Sequence, residues 1–150
     1  TIGVHGPKEL HLILLDNGRT NMLKDPDFKE ALQCIRCGSC LNVCPVYQRI
    51  GGTYGYKYIG AIGTIYTAFT HGMEKAAGPA YTCTLCAKCT QACPLELNIP
   101  KMVTKLRSRL QKAGYTAPPH QKVLTNILNT GNPFGEPKQT RTTWMKCDLQ

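Results

Sequence analysis

Residues 34–45 read CIRCGSCLNVCP and residues 83–94 read CTLCAKCTQACP. Each is a C-x-x-C-x-x-C-x-x-x-C-P run. Cys34, Cys37, Cys40, Cys44 and Pro45 of the first recur as Cys83, Cys86, Cys89, Cys93 and Pro94 of the second, at a constant offset of 49 residues. The stretches between share little else, so one ligand motif is used twice and this is not a repeat array. These two runs hold all but one of the nine cysteines. A disulfide framework spreads its half-cystines through the chain, whereas tight clustering of this kind points to metal-bound thiolates.

A run of this spacing wraps backbone around a cube-shaped 4Fe-4S cluster, so that three close thiolates reach three irons and nearby N–H groups point at the sulfurs. In two-cluster proteins the fourth cysteine of each run ligates the other cluster. The expected sets are therefore Cys34, Cys37, Cys40 and Cys93 around one 4Fe-4S cluster, and Cys83, Cys86, Cys89 and Cys44 around the second. Crossing the ligands staples the two runs together and holds the clusters close enough for electron tunnelling. Pro45 and Pro94 end each run by removing an N–H and turning the chain.

Structural zinc is the competing reading, because two C-x-x-C pairs can form a four-thiolate site. Zinc needs only four ligands, and the doubled run of four favours clusters. Cys147 has no cysteine neighbour in sequence and reads as an ordinary thiol. His5, His11, His71 and His120 show no pairing with a cysteine at ligand spacing and are assigned no site. With no G-x-S-x-G, H-E-x-x-H or Walker loop, no catalytic residue is assigned and no substrate chemistry is expected in this chain.

The chain has 150 residues, enough for one ordinary domain, with clusters replacing part of the hydrophobic core. Thiolates in this number suit a reducing compartment, and TIGVHGPKEL at the start has no basic region followed by an apolar one. A cytoplasmic location is expected. The longest weakly polar stretch, YIGAIGTIYTAFT over residues 58–70, is well short of the roughly 20 apolar residues of a spanning helix, leaving only peripheral membrane association open. The formal charge of +9 counts every cysteine as neutral. Two oxidised clusters at about −2 each bring it to about +5, an excess that suits docking to an acidic protein surface. No nucleic acid is expected, since the aromatics form no regular platform interleaved with basic residues.

Around the motifs, LHLILL (residues 10–15) followed by Asp16-Asn17-Gly18 reads as a short strand ending in a tight turn. Asp25 as N-cap and Pro26 at the first position predict a helix that delivers Cys34. Residues 47–58 form an ordered Gly/Tyr loop, with Gly51, Gly52 and Gly55 as backbone close to a cluster. Residues 61–70 are expected to be helical. Pro100 opens a helix with an apolar stripe of Ile99, Met102, Val103, Leu106 and Leu110, a basic face of Lys101, Lys105, Arg107, Arg109 and Lys112, and Gly114 as its stop. A last helix runs from Pro119 to about Asn129, with Val123, Leu124, Ile127 and Leu128 on one side, and an extended tail follows. The domains are 1–24 as an N-terminal extension, 25–131 as a two-cluster domain, and 132–150 as a tail or linker.

Residues 32–52, LQCIRCGSCLNVCPVYQRIGG, closely resemble the iron-sulfur subunit family of bacterial and archaeal lactate-utilisation complexes. The resemblance extends upstream through GPKELHLILLDNGR and downstream through the second run, about the first two-thirds of the chain. It implies an α-helical ferredoxin domain of the kind also found in the iron-sulfur subunits of heterodisulfide reductase, glycolate oxidase and anaerobic glycerol-3-phosphate dehydrogenase. The expected class is mainly α. In the family a large domain precedes this region, and residues 1–24 match its end, so a fragment or split subunit is expected. Residues 118–135, PPHQKVLTNILNTGNPFG, resemble the linker before cysteine-rich CCG domains of the related subunits, and no CCG follows.

The resemblance implies an electron-transfer module of a 2-hydroxy-acid oxidising complex of lactate type. Its partners would be a dehydrogenase or flavoprotein subunit as donor and an electron-accepting iron-sulfur subunit. An electron-relay subunit of a heterodisulfide-reductase-like complex is the alternative, and a zinc-stabilised interaction module the third reading.

Overall fold

The chain enters its first helix through a turn that its own side chains close. Asn17 and Gly18 both take positive φ, 44° and 80°, and the Arg19 N–H reaches the Asp16 carbonyl at 3.1 Å. The Asp16 carboxylate accepts the N–H groups of Gly18 and Thr20 at 3.0 and 2.8 Å, satisfying donors that a helix start leaves open. These bonds, with the Thr20 hydroxyl, hold the Asp16 carboxyl below its ordinary range. α1 (Arg19–Lys24) follows.

A computed structural model describes residues 4–146. After α1 come a 3-10 turn (Lys29–Gln33), α2 (Ser39–Asn42), α3 (Tyr47–Ile50), a 3-10 turn (Gly51–Thr53), α4 (Gly60–Thr70) and α5 (Met73–Thr82). Then follow α6 (Lys88–Gln91), α7 (Ile99–Lys112), α8 (Pro118–Thr130) and 3-10 turns over Lys138–Lys146. The class is mainly α, as expected. No helix of the described residues is long and apolar enough to cross a membrane.

Three local expectations change. Residues 10–15 form no strand; among the described residues the only β pairing is one bridge between Gly55 and Ile59. A lone segment has no ladder to satisfy its N–H and C=O groups, and Leu12 to Leu15 stay exposed. Asp25 ends α1 instead of opening a helix. Its carboxylate takes the Asp27 N–H at 3.0 Å and its carbonyl takes those of Phe28 and Lys29, a turn that leads into the 3-10 segment before Cys34. The tail is not extended over residues 138–146 but coils into 3-10 turns.

The described residues fall into two compact units divided between Arg107 and Ser108. In the first, α4 packs along α5, α1 meets both α4 and the 3-10 turn Lys29–Gln33, and α2 lies against α6. Phe28, Ala31, Met22, Ile65, Ala76 and Ala80 are fully buried. The first eight residues of α4, Gly60 to Thr67, are all buried. This explains its lack of an amphipathic pattern: a helix enclosed on every side shows small residues, and Thr64 and Thr67 return their hydroxyls to the carbonyls of Gly60 and Gly63. α5 escapes a reading by pattern, because Gly78 and Pro79 lie inside it. The stripe of α7 is as expected, with Ile99, Met102, Val103, Leu106 and Leu110 all buried.

In the second unit α8 ends on Gly131, whose left-handed conformation brings its N–H to the Ile127 carbonyl. Asn126 bonds the Pro133 carbonyl and Asn132 the Phe134 N–H, closing the turn beyond the helix. Val123, Leu124, Ile127 and Leu128 do share one side, and all four are exposed.

Candidate metal centre

The two cysteine runs fold alike. Arg36 and Leu85 both take φ near +55°, at 58° and 55°, and two residues later Gly38 and Ala87 take 80° and 63°. The four positions obey the 49-residue offset, so the second run holds a left-handed backbone at Ala87 where the first has glycine. In each run the amide two residues after the first cysteine points back to its sulfur: Arg36 N to Cys34 Sγ at 3.4 Å, and Leu85 N to Cys83 Sγ at 3.5 Å. Tyr47 N makes the same kind of contact to Cys44 Sγ at 3.5 Å. Left-handed residues cost about 1–2 kcal/mol each outside glycine, and here they turn N–H groups toward sulfur.

The short helices α2 and α6, which carry the third cysteine of each run, pack together and bring the runs into register. Cys34, Cys37, Cys40 and Cys93 line one cavity of about 250 Å³, walled by Ile62, Tyr58, Tyr66 and Leu97. Cys44, Cys83, Cys86 and Cys89 line a smaller recess of about 20 Å³, which Cys40 also borders. All eight are free thiols, with Cys37 and Cys86 exposed and the other six half-buried. Cys147 lies outside the described residues. His5, His11, His71 and His120 line neither cavity.

The thiols differ in pairs that follow the repeat. Cys37 is held below its ordinary range by the Ser39 hydroxyl, and Cys86 by the Lys88 N–H. Burial raises Cys40, with the charges of Cys34, Cys37 and Cys93 adding to the effect. Burial likewise pushes Cys89 up to about 11, helped by Cys83.

Three residues at the site are not legible in the sequence. Arg107, expected on a solvated basic face, instead caps the end of α5: its Nε donates to the Ala80 carbonyl at 2.9 Å and its NH2 group to the carbonyls of Tyr81 and Cys83. Its guanidinium lies 5.9 Å from the Tyr81 ring centre. Arg36 places its guanidinium 5.6 and 5.5 Å from the rings of Tyr58 and Tyr66 beside the first cavity. Tyr54 is buried with its hydroxyl lacking a hydrogen-bond partner, and it lies close enough to Cys83, Cys44 and Cys89 for their charges to act on it. Burial, then Cys83, raises this phenol far above its ordinary range. Spacing points to none of the three; only the Tyr content of residues 47–58 hints at Tyr54. Of the glycines in that loop, Gly55 abuts the backbone of Tyr58 and Ile59, an added Cβ at Gly51 or Gly52 meets no protein atom within 4 Å, and none of the three lines either cavity.

The donor set fits 4Fe-4S clusters. Eight free thiols stand in two groups of four, with backbone amides aimed at sulfur and an orphaned phenol beside the second group. Among the described residues no three His, Cys, Asp or Glu side chains converge tightly enough to hold a single metal ion.

Residues 30–97 match the family model of a 4Fe-4S dicluster domain. The dicluster match spans both runs and the packed α4 and α5 between them. Beyond it, the chain is 39% identical over 127 residues to lactate utilization protein B of Bacillus licheniformis, covering 84% of this chain and 26% of that protein. It is 40% identical over 129 residues to lactate utilization protein B of Anoxybacillus flavithermus, and 38% identical over 129 residues to that of Bacillus subtilis. Both matches cover 85% of this chain and 27% of the relative. The resemblance to the iron-sulfur component of lactate utilisation is thus borne out and reaches past the first two-thirds of the chain. The chain spans about a quarter of the length of these curated relatives.

Proposed function

We propose that this dicluster domain carries two 4Fe-4S clusters in crossed ligand sets and relays single electrons within a 2-hydroxy-acid oxidising system of the lactate type. The observation that carries the reading is the lining of the two cavities: Cys93 joins Cys34, Cys37 and Cys40 at the first, and Cys44 joins Cys83, Cys86 and Cys89 at the second, which Cys40 also borders. Bound there, a 4Fe-4S cluster supplies reversible one-electron storage. The chain's own contribution is to hold eight sulfurs in place, to direct N–H groups at Cys34, Cys44 and Cys83, and to limit water on the side of Cys40 and Cys89.

The names of the relatives support lactate as the ultimate electron source. Partners of the expected kind, a dehydrogenase or flavoprotein and an accepting iron-sulfur subunit, would meet basic charge that the first unit exposes at Lys88 and Lys101. Free thiols in this number suit a reducing compartment such as the cytoplasm.

Anaerobic purification followed by iron analysis and paramagnetic resonance tests the reading. About eight irons per chain are expected. Cys44→Ser is expected to disturb the centre held by Cys83, Cys86 and Cys89, and Cys93→Ser the one held by Cys34, Cys37 and Cys40. Each variant losing instead the centre nearest in sequence would refute the crossing, and wild-type protein without iron would refute the clusters.

A further inference from the structure

Tyr54 sets a buried, unpartnered phenol beside the second site. The residue is 1% exposed, and both of its main-chain groups are fixed, the N–H to the Gly51 carbonyl at 3.1 Å and the carbonyl to the Gly60 N–H at 2.7 Å. The residue is therefore anchored at the entrance of α4, and its hydroxyl ends in the interior without a partner, within electrostatic reach of Cys83, Cys44 and Cys89, of which Cys83 acts on it most strongly. The phenols beside the first cavity are differently employed. Tyr66 donates its proton to the Ala31 carbonyl at 2.8 Å, and Tyr58 accepts from Arg19 at 2.9 Å.

A neutral thiol is a weak acceptor, and a metal-bound thiolate is a good one. We propose that Tyr54 is a positioning residue that tunes the second site, its phenol donating a hydrogen bond to the Cys83 sulfur when that sulfur is a metal-bound thiolate. The inference rests on the cluster reading above. A hydrogen bond to a ligand sulfur favours the more negative, reduced state, so Tyr54 raises the potential of the centre held by Cys44, Cys83, Cys86 and Cys89. The repeat makes the backbones of the two sites alike, and Tyr54 is one side chain that makes their potentials unequal.

The test is Tyr54→Phe, which removes one oxygen from a buried ring, read by iron analysis and by redox titration of the holoprotein followed by paramagnetic resonance. Full iron content is expected. The centre that Cys44→Ser disturbs should become harder to reduce by up to about tenfold in equilibrium constant, which is about 59 mV for one electron, while the other stays in place. Replacing Tyr54 by 3-fluorotyrosine, a more acidic phenol, should move the same centre the opposite way. Full iron with both potentials unchanged in both variants would overturn the role of Tyr54. So would equal shifts of the two centres, or loss of iron on Tyr54→Phe combined with an unshifted fluorotyrosine protein. Wild-type protein without iron would instead overturn the cluster reading, and the two failures are told apart by that measurement.

Discussion

Removing the Arg107 guanidinium should loosen the second site before it loosens anything else. A helix leaves its last carbonyls without intrahelical partners, and a cation at that end also meets the negative pole of the dipole. Arg107 answers both needs at the end of α5, binding the carbonyls of Ala80, Tyr81 and Cys83, the last being the first cysteine of the second run. Hydrogen bonds from a charged donor contribute about 1.5–3 kcal/mol each when buried. Arg107 is only half-buried, so water replaces part of each bond, and the contact with the Tyr81 ring adds about 0.5–1 kcal/mol. Arg107→Met keeps most of the aliphatic stem and should cost about 2–4 kcal/mol, a large share of the 5–15 kcal/mol that holds an ordinary domain. Arg107→Lys should recover only part, because a point charge replaces a fork that reaches three carbonyls. The assay is thermal unfolding of the holoprotein together with the rate at which each paramagnetic signal disappears under a chelator. The signal assigned to Cys44, Cys83, Cys86 and Cys89 should decay first. A variant that melts like the wild type, or that loses both signals at one rate, would refute the reasoning.

Three further outcomes rest on the same structure. In metal-free, reduced protein the thiolate is the species that alkylates, so a thiol of lowered pKa reacts at lower pH. At about pH 8, Cys37 and Cys86 should label first with iodoacetamide, and Cys89, pushed up to about 11, should present only about one thiolate in a thousand. Peptide mass spectrometry reads the order, and labelling of Cys89 ahead of Cys86 would contradict it. Gly63→Ala should destabilise by about 1–2 kcal/mol despite a helix-propensity gain of about 1 kcal/mol, because overpacking outweighs that gain. The added Cβ would stand 2.5 Å from the Tyr58 carbonyl carbon, a backbone atom that cannot swing aside. Gly38→Ala meets no atom within 4 Å and copies the backbone that Ala87 already adopts, so its folding should survive at a cost of about 1–2 kcal/mol. A thermal melt of each variant reads the loss, and a Gly63→Ala protein as stable as the wild type would refute the overpacking.

Much of this protein is written locally. The two cysteine runs, the turn at Asp16-Asn17-Gly18, the stripe of α7 and the Gly131 stop of α8 are each set by neighbours within a few residues, so spacing and turn chemistry reveal them. Where local signals conflict or fall silent, reading by pattern fails. Asp25-Pro26 has the look of a helix start, yet the chain closes a turn there. LHLILL has the composition of a strand, and among the described residues no second segment pairs with it. α4 is expected over residues 61–70 and is found, although its enclosure on all sides removes the usual periodicity, while α5 hides behind Gly78 and Pro79.

By itself, the sequence determines which atoms are available for the chemistry, because the number and spacing of thiols select an iron-sulfur cluster whatever the surrounding fold. Tertiary structure decides how those thiols are grouped and how the two groups differ. Only the packing of α2 on α6 draws Cys93 to the cavity of Cys34 and Cys44 to that of Cys83. Only long-range contacts bring Arg107 to the carbonyl of Cys83 and leave the Tyr54 hydroxyl beside the second set. The physical reason is range. Backbone turns and ligand spacing act between neighbours along the chain, whereas burial, electric field and hydrogen bonds to sulfur act between groups that only the folded chain brings together.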